Sequence, residues 1–225
     1  MKTVIKRALL ALFALALLNA PVASDEPELP IEDLGNGRYR IGAIEIDKQA
    51  QRFTVPATPL ELADHAPIEF LAVAKGGIKS YEALLELEAS AVEFNLACIL
   101  IGLDTANATH PSHHFDPAPV TGDIVDVRVS WVQDGHEQEL GIERLLGGTT
   151  DPGGHVWVYT GSVFTPDGGY LAAMSGSLIG FVHDPESIIQ HQAGLGLGNY
   201  GAITYDPDVM PPALTQVTVS VSRRP

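Results

Sequence analysis

Apolar and polar residues alternate in short runs along most of the chain, which is the pattern of half-buried β-strands. The clearest runs are 124–132 (IVDVRVSWV) and 216–221 (QVTVSV), and in the second Val217, Val219 and Val221 share one face. Clusters of glycine, proline and aspartate separate the runs and predict turns. Between its amino-terminal segment and its last residues, the chain is predicted to form about nine or ten strands.

The stretch 67–103 holds the strongest pattern. Its first part, PIEFLAVAK, is apolar apart from Glu69 and predicts an inner strand. The turn at Gly76-Gly77 and the returning run IKSYEALLELE predict a β-hairpin. Alternation along the returning strand places Glu82, Glu86 and Glu88 on a solvent-facing side.

A helix is predicted to follow the hairpin. Ser90 with Glu93 three residues later has the spacing of a capping box, and the run to Ile101 is apolar except for Glu93 and Asn95. Gly102 then stands where a helix-ending glycine is expected. The predicted fold class is therefore α+β, a mostly antiparallel β-sheet with one buried α-helix at about residues 90–101.

Two further elements follow from local patterns in the second half of the chain. Residues 170–174 continue the strand pattern, and Asp184-Pro185 predicts the start of a short helix through Ile188 and Ile189. Residues 104–121 contain three prolines and no apolar period, so they are predicted to form a long surface loop.

The first 24 residues have the composition of a secretory signal peptide. Lys2, Lys6 and Arg7 precede an apolar run, and small residues at 22–24 predict cleavage after Ser24. The acidic, proline-marked residues 25–37 are predicted to be a flexible leader, and 38–225 a single domain. The mature protein is expected to be periplasmic or secreted, with no stable membrane insertion.

The net charge and the cysteine content limit which partners and which cysteine chemistry are expected. The formal net charge is −15 and becomes −18 when the three basic residues of the signal peptide are removed. An acidic protein of this kind is not expected to bind nucleic acid. Cys98 is the sole cysteine and lies in the apolar helix, so it is predicted to be a core residue without a disulfide partner.

From Ile41 to its end, the chain resembles the YdjY-like domain family of bacterial extracytoplasmic proteins. The resemblance rests on the order of seven segments: IGAIEIDKQAQRFTVPA, PIEFLAVAKGGIKSYEALLEL, ILIGLD, GDIVDVRVSW, VWVYTGSVF, LAAMSGSLIGFVHDPESII and VMPPALTQVTVSV. No activity is established for this family, so the resemblance implies none for this chain. Some of its members are described as ferredoxin-like because of cysteine-rich segments, but one cysteine excludes a cluster held by four thiolates here.

Histidines in the 104–121 loop are the strongest chemical candidates. His110, His113 and His114 supply imidazoles and Asp116 a carboxylate, a ligand set suited to zinc, copper or nickel. Adjacent histidines on a loop also commonly face water, and that simpler interpretation is favoured. His136, His155, His183 and His191 are scattered and are interpreted as structural.

Other motifs do not predict catalysis or a cofactor. Gly196, Gly198 and Gly201 fit the dinucleotide fingerprint by spacing, but no strand precedes them and no helix pattern follows. They predict a flexible loop covering another part of the protein. No nucleophile elbow is present. The aromatic residues of the strand runs are interpreted as core rather than as the floor of a ligand pocket: Trp131, Trp157, Tyr159, Tyr170 and Phe181.

These observations predict an exported, non-enzymatic domain that binds a protein or small-molecule ligand and needs no cofactor. Two alternatives stay open. One is binding or delivery of a transition metal through the His110–His114 loop, and the other is an enzyme of an unrecognised class.

Overall fold

A computed structural model describes residues 31–63, 66–147, 154–198 and 200–224. The predicted signal peptide and residues 25–30 of the predicted leader lie outside this part of the chain. The strands are β1 Ile31–Gly35, β2 Arg38–Ile41, β3 Ile44–Asp47, β4 Arg52–Pro59, β5 Phe70–Ala74, β6 Ala83–Leu87, β7 Asp123–Gln133, β8 His136–Gly141, β9 Leu146–Gly147, β10 Trp157–Tyr159, β11 Ser177–Gly180, β12 Ile189–His191, β13 Thr204–Tyr205 and β14 Val217–Arg223. The helices are α1 Ala91–Leu100 and α2 Leu171–Ser175, with 3-10 turns at Ser80–Glu82 and Ile142–Leu145.

Eight of these strands form a closed sheet. Their order is β4-β14-β7-β10-β12-β11-β5-β6, and pairing of β6 with β4 closes the ring. The meander β1-β2-β3 extends from β4, and β8 pairs with β7. Closure leaves the eight strands without a free edge over the paired residues, so the fold limits edge-to-edge aggregation.

The alternation predicted for β7 and β14 is confirmed. Val217, Val219 and Val221 are at most 1% exposed, and the same holds for the valines of β7 that lie on one face. β14 pairs antiparallel with β4 on one side and β7 on the other. The turn from β7 to β8 has positive φ at Asp134 and Gly135, as the turn signal predicted.

The predicted hairpin at Gly76-Gly77 is wrong, because β5 and β6 are parallel. Phe70 lies opposite Ala83 and Ala74 opposite Leu87. The chain turns at Gly76, where φ is +70°, and then runs back beside the five-residue strand β5. Eight residues span up to about 26 Å when extended, and a five-residue strand about 17 Å, so the connection 75–82 is long enough to return to the start of β5 although it contains turns. Strands β11 and β12 are also parallel, so the mostly antiparallel sheet contains two parallel pairs among the described strands.

Helix α1 begins as its sequence predicts. Ser90 Oγ accepts a hydrogen bond from the Glu93 amide at 3.2 Å, and Glu93 Oε2 accepts one from the Ser90 amide at 2.7 Å. Gly102, with φ +92°, follows the last turn. Both ends of the predicted helix are thus confirmed by their capping contacts.

The prediction that α1 is a buried helix is confirmed for one side of the helix only. Phe94 and Cys98 are fully buried, and the Phe94 ring meets Phe53 edge-on with centroids 5.2 Å apart. On other faces of the helix, however, Val92 is 43% and Ile99 50% exposed. An apolar run does not distinguish a helix buried on one side from one that is enclosed.

Three other segments differ from their predicted structure. Residues Ile31–Gly35 of the predicted leader form β1, paired with β2. The predicted strand at 170–174 is helix α2, since leucine, alanine and methionine favour a helix and Gly176 ends it at φ +81°. The predicted helix after Asp184 is a turn, because Asp184 Oδ1 accepts a hydrogen bond from the Glu186 amide.

Candidate functional site

The four predicted metal ligands lie on the 104–121 loop but face different partners. Asp116 Oδ2 and Oδ1 accept hydrogen bonds from the amides of Ser112, at 2.8 Å, and Ala118, at 2.9 Å, and these bonds lower the pKa of the carboxyl. His113 Nδ1 lies 2.9 Å from the carbonyl oxygen of His114, and His110 is exposed. Within the described residues, no three histidine, cysteine or acidic side chains are grouped around one metal position.

His114 instead contacts a buried glutamate. Its Nε2 lies 2.8 Å from Glu69 Oε2, and the Glu69 side chain is 2% exposed. The Glu69 carboxylate raises the pKa of His114, against the opposing effect of burial. The imidazole also stacks on the Phe115 ring, with centroids 4.2 Å apart. The loop is therefore attached to the closed sheet through an ion pair.

Lys79 lies beside Glu69 and His114 among three further carboxylates. Its Nζ is 3.6 Å from Asp184 Oδ2, 3.7 Å from Glu82 Oε1 and 3.8 Å from Glu186 Oε2. Burial alone would lower the pKa of Lys79, but Asp184, Glu186 and Glu82 together raise it. We call this group the carboxylate site: Glu69, Glu82, Asp184 and Glu186 with Lys79 and His114.

Backbone pairing brings the segments of the carboxylate site to one end of the closed sheet. Glu69 directly precedes β5 and Glu82 directly precedes β6, and the Glu69 amide donates to the Glu82 carbonyl at 2.9 Å. The Phe181 amide, just after β11, donates to the Glu69 carbonyl at 3.1 Å. Parallel pairing of β5 and β6 is what places the two glutamates side by side.

A buried polar network fixes the Asp184 turn. The Asp184 amide donates to Gln190 Oε1 at 3.0 Å, and Gln190 Nε2 donates to Thr160 Oγ1 at 3.0 Å. Gln190 and Thr160 are both 0% exposed. Hydrogen bonds of this kind hold a polar turn in one conformation inside an apolar environment. The Asp184 carboxylate is thereby held near Lys79.

Several buried carboxylate oxygens of the site accept no hydrogen bond in the described part of the chain, although Glu82 Oε1 and Glu186 Oε2 lie 3.7 and 3.8 Å from Lys79 Nζ. Glu69 Oε1 and Glu82 Oε1 are buried and accept no hydrogen bond from the described residues. Burial, and then the charge of Glu69, raises the pKa of Glu82. A buried acceptor without a donor is unusual and costs about 1–3 kcal/mol. The carboxylate site is thus polar, partly unsatisfied and negatively charged overall.

A small cavity of about 10 Å³ lies next to Glu69. The other residues that line this cavity are apolar residues or glycines from the loops at this end of the sheet: Ile68, Phe115, Phe181, Val182, Gly196, Gly201, Ala202 and Ile203. The segment that carries the false dinucleotide fingerprint therefore covers part of the carboxylate site. None of the described residues 200–224 is helical, in agreement with the rejection of that fingerprint.

Comparison with known protein families identifies the family of this chain. The sequence model described as the YdjY domain matches residues 44–222, most of the chain. The chain belongs to the YdjY domain family. A comparison with curated proteins found no match, and a comparison with solved structures found none either.

All six residues of the carboxylate site lie inside the matched part of this YdjY domain. In the described part of the chain, no helix has both the length and the apolar character that crossing a membrane requires.

The sequence patterns did not predict that the residues of the carboxylate site lie together in the YdjY domain. They placed Glu82 on a solvent-facing side, although this residue is 3% exposed, and placed Asp184 at a helix start. A usable signal was Glu69, a lone charge within the apolar run PIEFLAVA. A charge in such a run needs a partner when the strand is buried.

Three of the four scattered histidines make contacts within the YdjY domain, as their structural interpretation predicted, whereas His136 is exposed on β8. His183 is 0% exposed, and its Nδ1 lies 2.6 Å from the Asp116 carbonyl oxygen. His155 Nδ1 lies 3.3 Å from His191 Nε2, and the His191 ring packs edge-on against Trp157. The aromatic residues interpreted as core are buried at Trp131, Trp157, Tyr159 and Phe181.

Proposed function

We propose that this YdjY domain is an exported, non-enzymatic module that binds a ligand or a partner protein, and that the carboxylate site binds a cationic group. The observation that carries the proposal is a set of buried carboxylate oxygens without a hydrogen bond from the described residues: Glu69 Oε1 above all, and Glu82 Oε1, which has only the longer 3.7 Å contact with Lys79 Nζ. A ligand that donates hydrogen bonds to them recovers the free energy that the free protein loses by leaving them unpaired.

Charge supports a cationic ligand. Four carboxylates face one ammonium and one imidazole at the site, and the whole chain carries a formal charge of −15. An acidic surface attracts cations and speeds their association at low ionic strength. Export is supported by the amino-terminal sequence, whose basic and apolar parts fit a signal peptide.

Thermal unfolding in the presence of small charged compounds tests this function. The panel contains alkylammonium, guanidinium, calcium, magnesium and acetate, and the variants are Glu69→Gln, Glu82→Gln and the control Glu137→Gln, an exposed residue on β8. We expect at least one cation to raise the Tm of the wild type and of Glu137→Gln, but not of the two site variants. Stabilisation by acetate alone, or equal stabilisation of all variants, would contradict the proposal.

The transition-metal alternative makes a separate prediction. A site formed by His110, His113, His114 and Asp116 would bind the ion through His114 Nδ1, because Nε2 lies on Glu69, and through carboxylate lone pairs that the two amide hydrogen bonds to Asp116 leave free. Elemental analysis of untagged protein tests it, with His113→Ala as the variant because it keeps the His114 contact. Stoichiometric zinc, copper or nickel that the variant loses supports the alternative, and absence of metal from both proteins contradicts it.

A further inference from the structure

The cavity beside Glu69 has the size and lining of a pocket for a single ammonium group. Its volume of about 10 Å³ is close to that of one water molecule. A protonated primary amine head is similarly small and carries three hydrogen-bond donors, as the lysine side chain does. The cavity is therefore too small for a larger head group without movement of its walls.

The chemistry of the lining favours a cation over a neutral or anionic group. Glu69 supplies the charged wall, and its Oε1 has no donor among the described residues. Phe115 and Phe181 supply aromatic walls, and the face of an aromatic ring attracts a cation. The other walls are aliphatic or glycine and offer no side-chain donor to an anion.

The cavity lies just beneath the protein surface. Gly201 and Ala202 form part of its wall, and both residues are exposed. Next to them, Tyr200 is 59% exposed. A Cβ at Gly201 would lie 3.5 Å from Pro67 Cβ, so this glycine already packs closely against the neighbouring segment.

Lys79 shows that this end of the sheet accommodates an ammonium group. Its Nζ lies between three carboxylates and 5.1 Å from the centroid of the Phe70 ring, a combination of carboxylate and aromatic partners that the cavity repeats. Lys79 does not line the cavity, so it leaves Glu69 Oε1 without a donor.

We propose that the cavity formed by Glu69, Phe115, Phe181 and Gly201 binds the primary ammonium group of an alkylamine. This inference rests on the proposed function and names the ligand class for the same site. The amine is either a free small molecule or the lysine side chain of a partner protein, since both present the same head group.

Amide chemical shifts of the wild-type protein test the inference without relying on a variant that has to fold. We expect n-butylammonium to shift the amides of Gly201, Ala202 and Phe181 saturably. Tetramethylammonium, which has the charge but no N–H donor, is expected to leave them unchanged. The Kd for n-butylammonium should rise at least about tenfold in Glu69→Gln, the loss expected for a hydrogen bond to a charged group, and stay within about twofold in Glu137→Gln.

The outcomes separate this inference from the proposed function. Calcium or tetramethylammonium shifting the site amides while n-butylammonium does not would overturn the amine pocket and leave a cation site in place. No effect of any cation would overturn both. A tetralysine peptide distinguishes the sources: tighter binding of the peptide than of n-butylammonium indicates a partner protein, and binding of n-butylammonium alone indicates a free amine.

Discussion

Glu69 is the residue on which the account depends. A single carboxylate inside an apolar strand run loses its hydration on folding, and only specific partners compensate for that loss. One oxygen has such a partner in His114, and the other has none among the described residues. Glu69 therefore has one oxygen paired with His114 and one oxygen available to accept a hydrogen bond from a ligand.

The His114–Glu69 pair predicts a pH dependence. Because Glu69 raises the pKa of His114 above its ordinary 6.5, the pair stabilises the folded protein fully below that value and loses its effect as pH rises through the folded-state pKa. NMR titration of His114 should give a pKa above 6.5 in the wild type and a lower one in Glu69→Gln. The control Glu137→Gln should leave it unchanged. An unaltered His114 pKa in Glu69→Gln would refute the contact.

The contacts of Lys79 with three carboxylates predict that replacing this residue lowers the stability of the protein. Replacing it in Lys79→Met leaves Glu82, Asp184 and Glu186 without their shared ammonium, and we expect a loss of about 1–3 kcal/mol in the free energy of unfolding at pH 7. The loss should be smaller at pH 5 than at pH 7, because burial, and then the charge of Glu69, raises the pKa of Glu82 and so makes its carboxylate easier to protonate as the pH falls. Urea denaturation at both pH values measures it.

Lys75→Met is the matched control for that variant. Lys75 pairs with Glu88 at 2.7 Å, and 64% of its side chain is exposed, so screening by solvent should keep its contribution well below that of Lys79. Equal losses in the two variants would show that the buried carboxylates do not depend on Lys79.

At the scale of elements, local patterns predicted strands and caps but not how strands pair. The capping box at Ser90 and the alternation in β14 are set by neighbouring residues, and both are confirmed. The direction of β6 relative to β5 depends on where the 75–82 connection packs, which no local pattern records. The site depends on this pairing, because Glu69 and Glu82 directly precede the two parallel strands.

The packing of that connection predicts a glycine requirement. Gly77 and Gly176 approach so closely that a Cβ at Gly176 would lie 2.6 Å from Gly77 Cα, and φ at Gly176 is +81°. Gly176→Ala should lower the free energy of unfolding by well over the roughly 1 kcal/mol expected from the positive φ alone. Urea denaturation compares it with Gly135→Ala, where φ is +76° and the added Cβ meets nothing within 4 Å. Equal losses would contradict the close contact.

At the scale of the whole molecule, the closed sheet provides a rigid frame and its loops provide the chemistry. The carboxylate site uses segments next to three strands and the 104–121 loop. Its first and last residues, Glu69 and Glu186, are 117 positions apart, so no short motif contains them. Composition shows that the chain is acidic, and the amino-terminal sequence predicts export, whereas the site could be recognised only in the tertiary fold. Glu69 was visible in the sequence, but its partners were not.

Export makes a prediction for the intact chain. The mature protein should begin at Asp25, after removal of the basic and apolar residues 1–24, and should be recovered outside the cytoplasm. Mass spectrometry of the fractionated protein measures the new amino terminus. Recovery of the full-length chain from the cytoplasm would refute this part of the account.

Calorimetric titration with the cation that stabilises the wild type most is the most direct test of the central claim, that the carboxylate site binds a cation through Glu69. We expect saturable binding to the wild type and to Glu137→Gln, and binding at least about tenfold weaker to a folded Glu69→Gln. Equal affinity for the wild type and Glu69→Gln would contradict it.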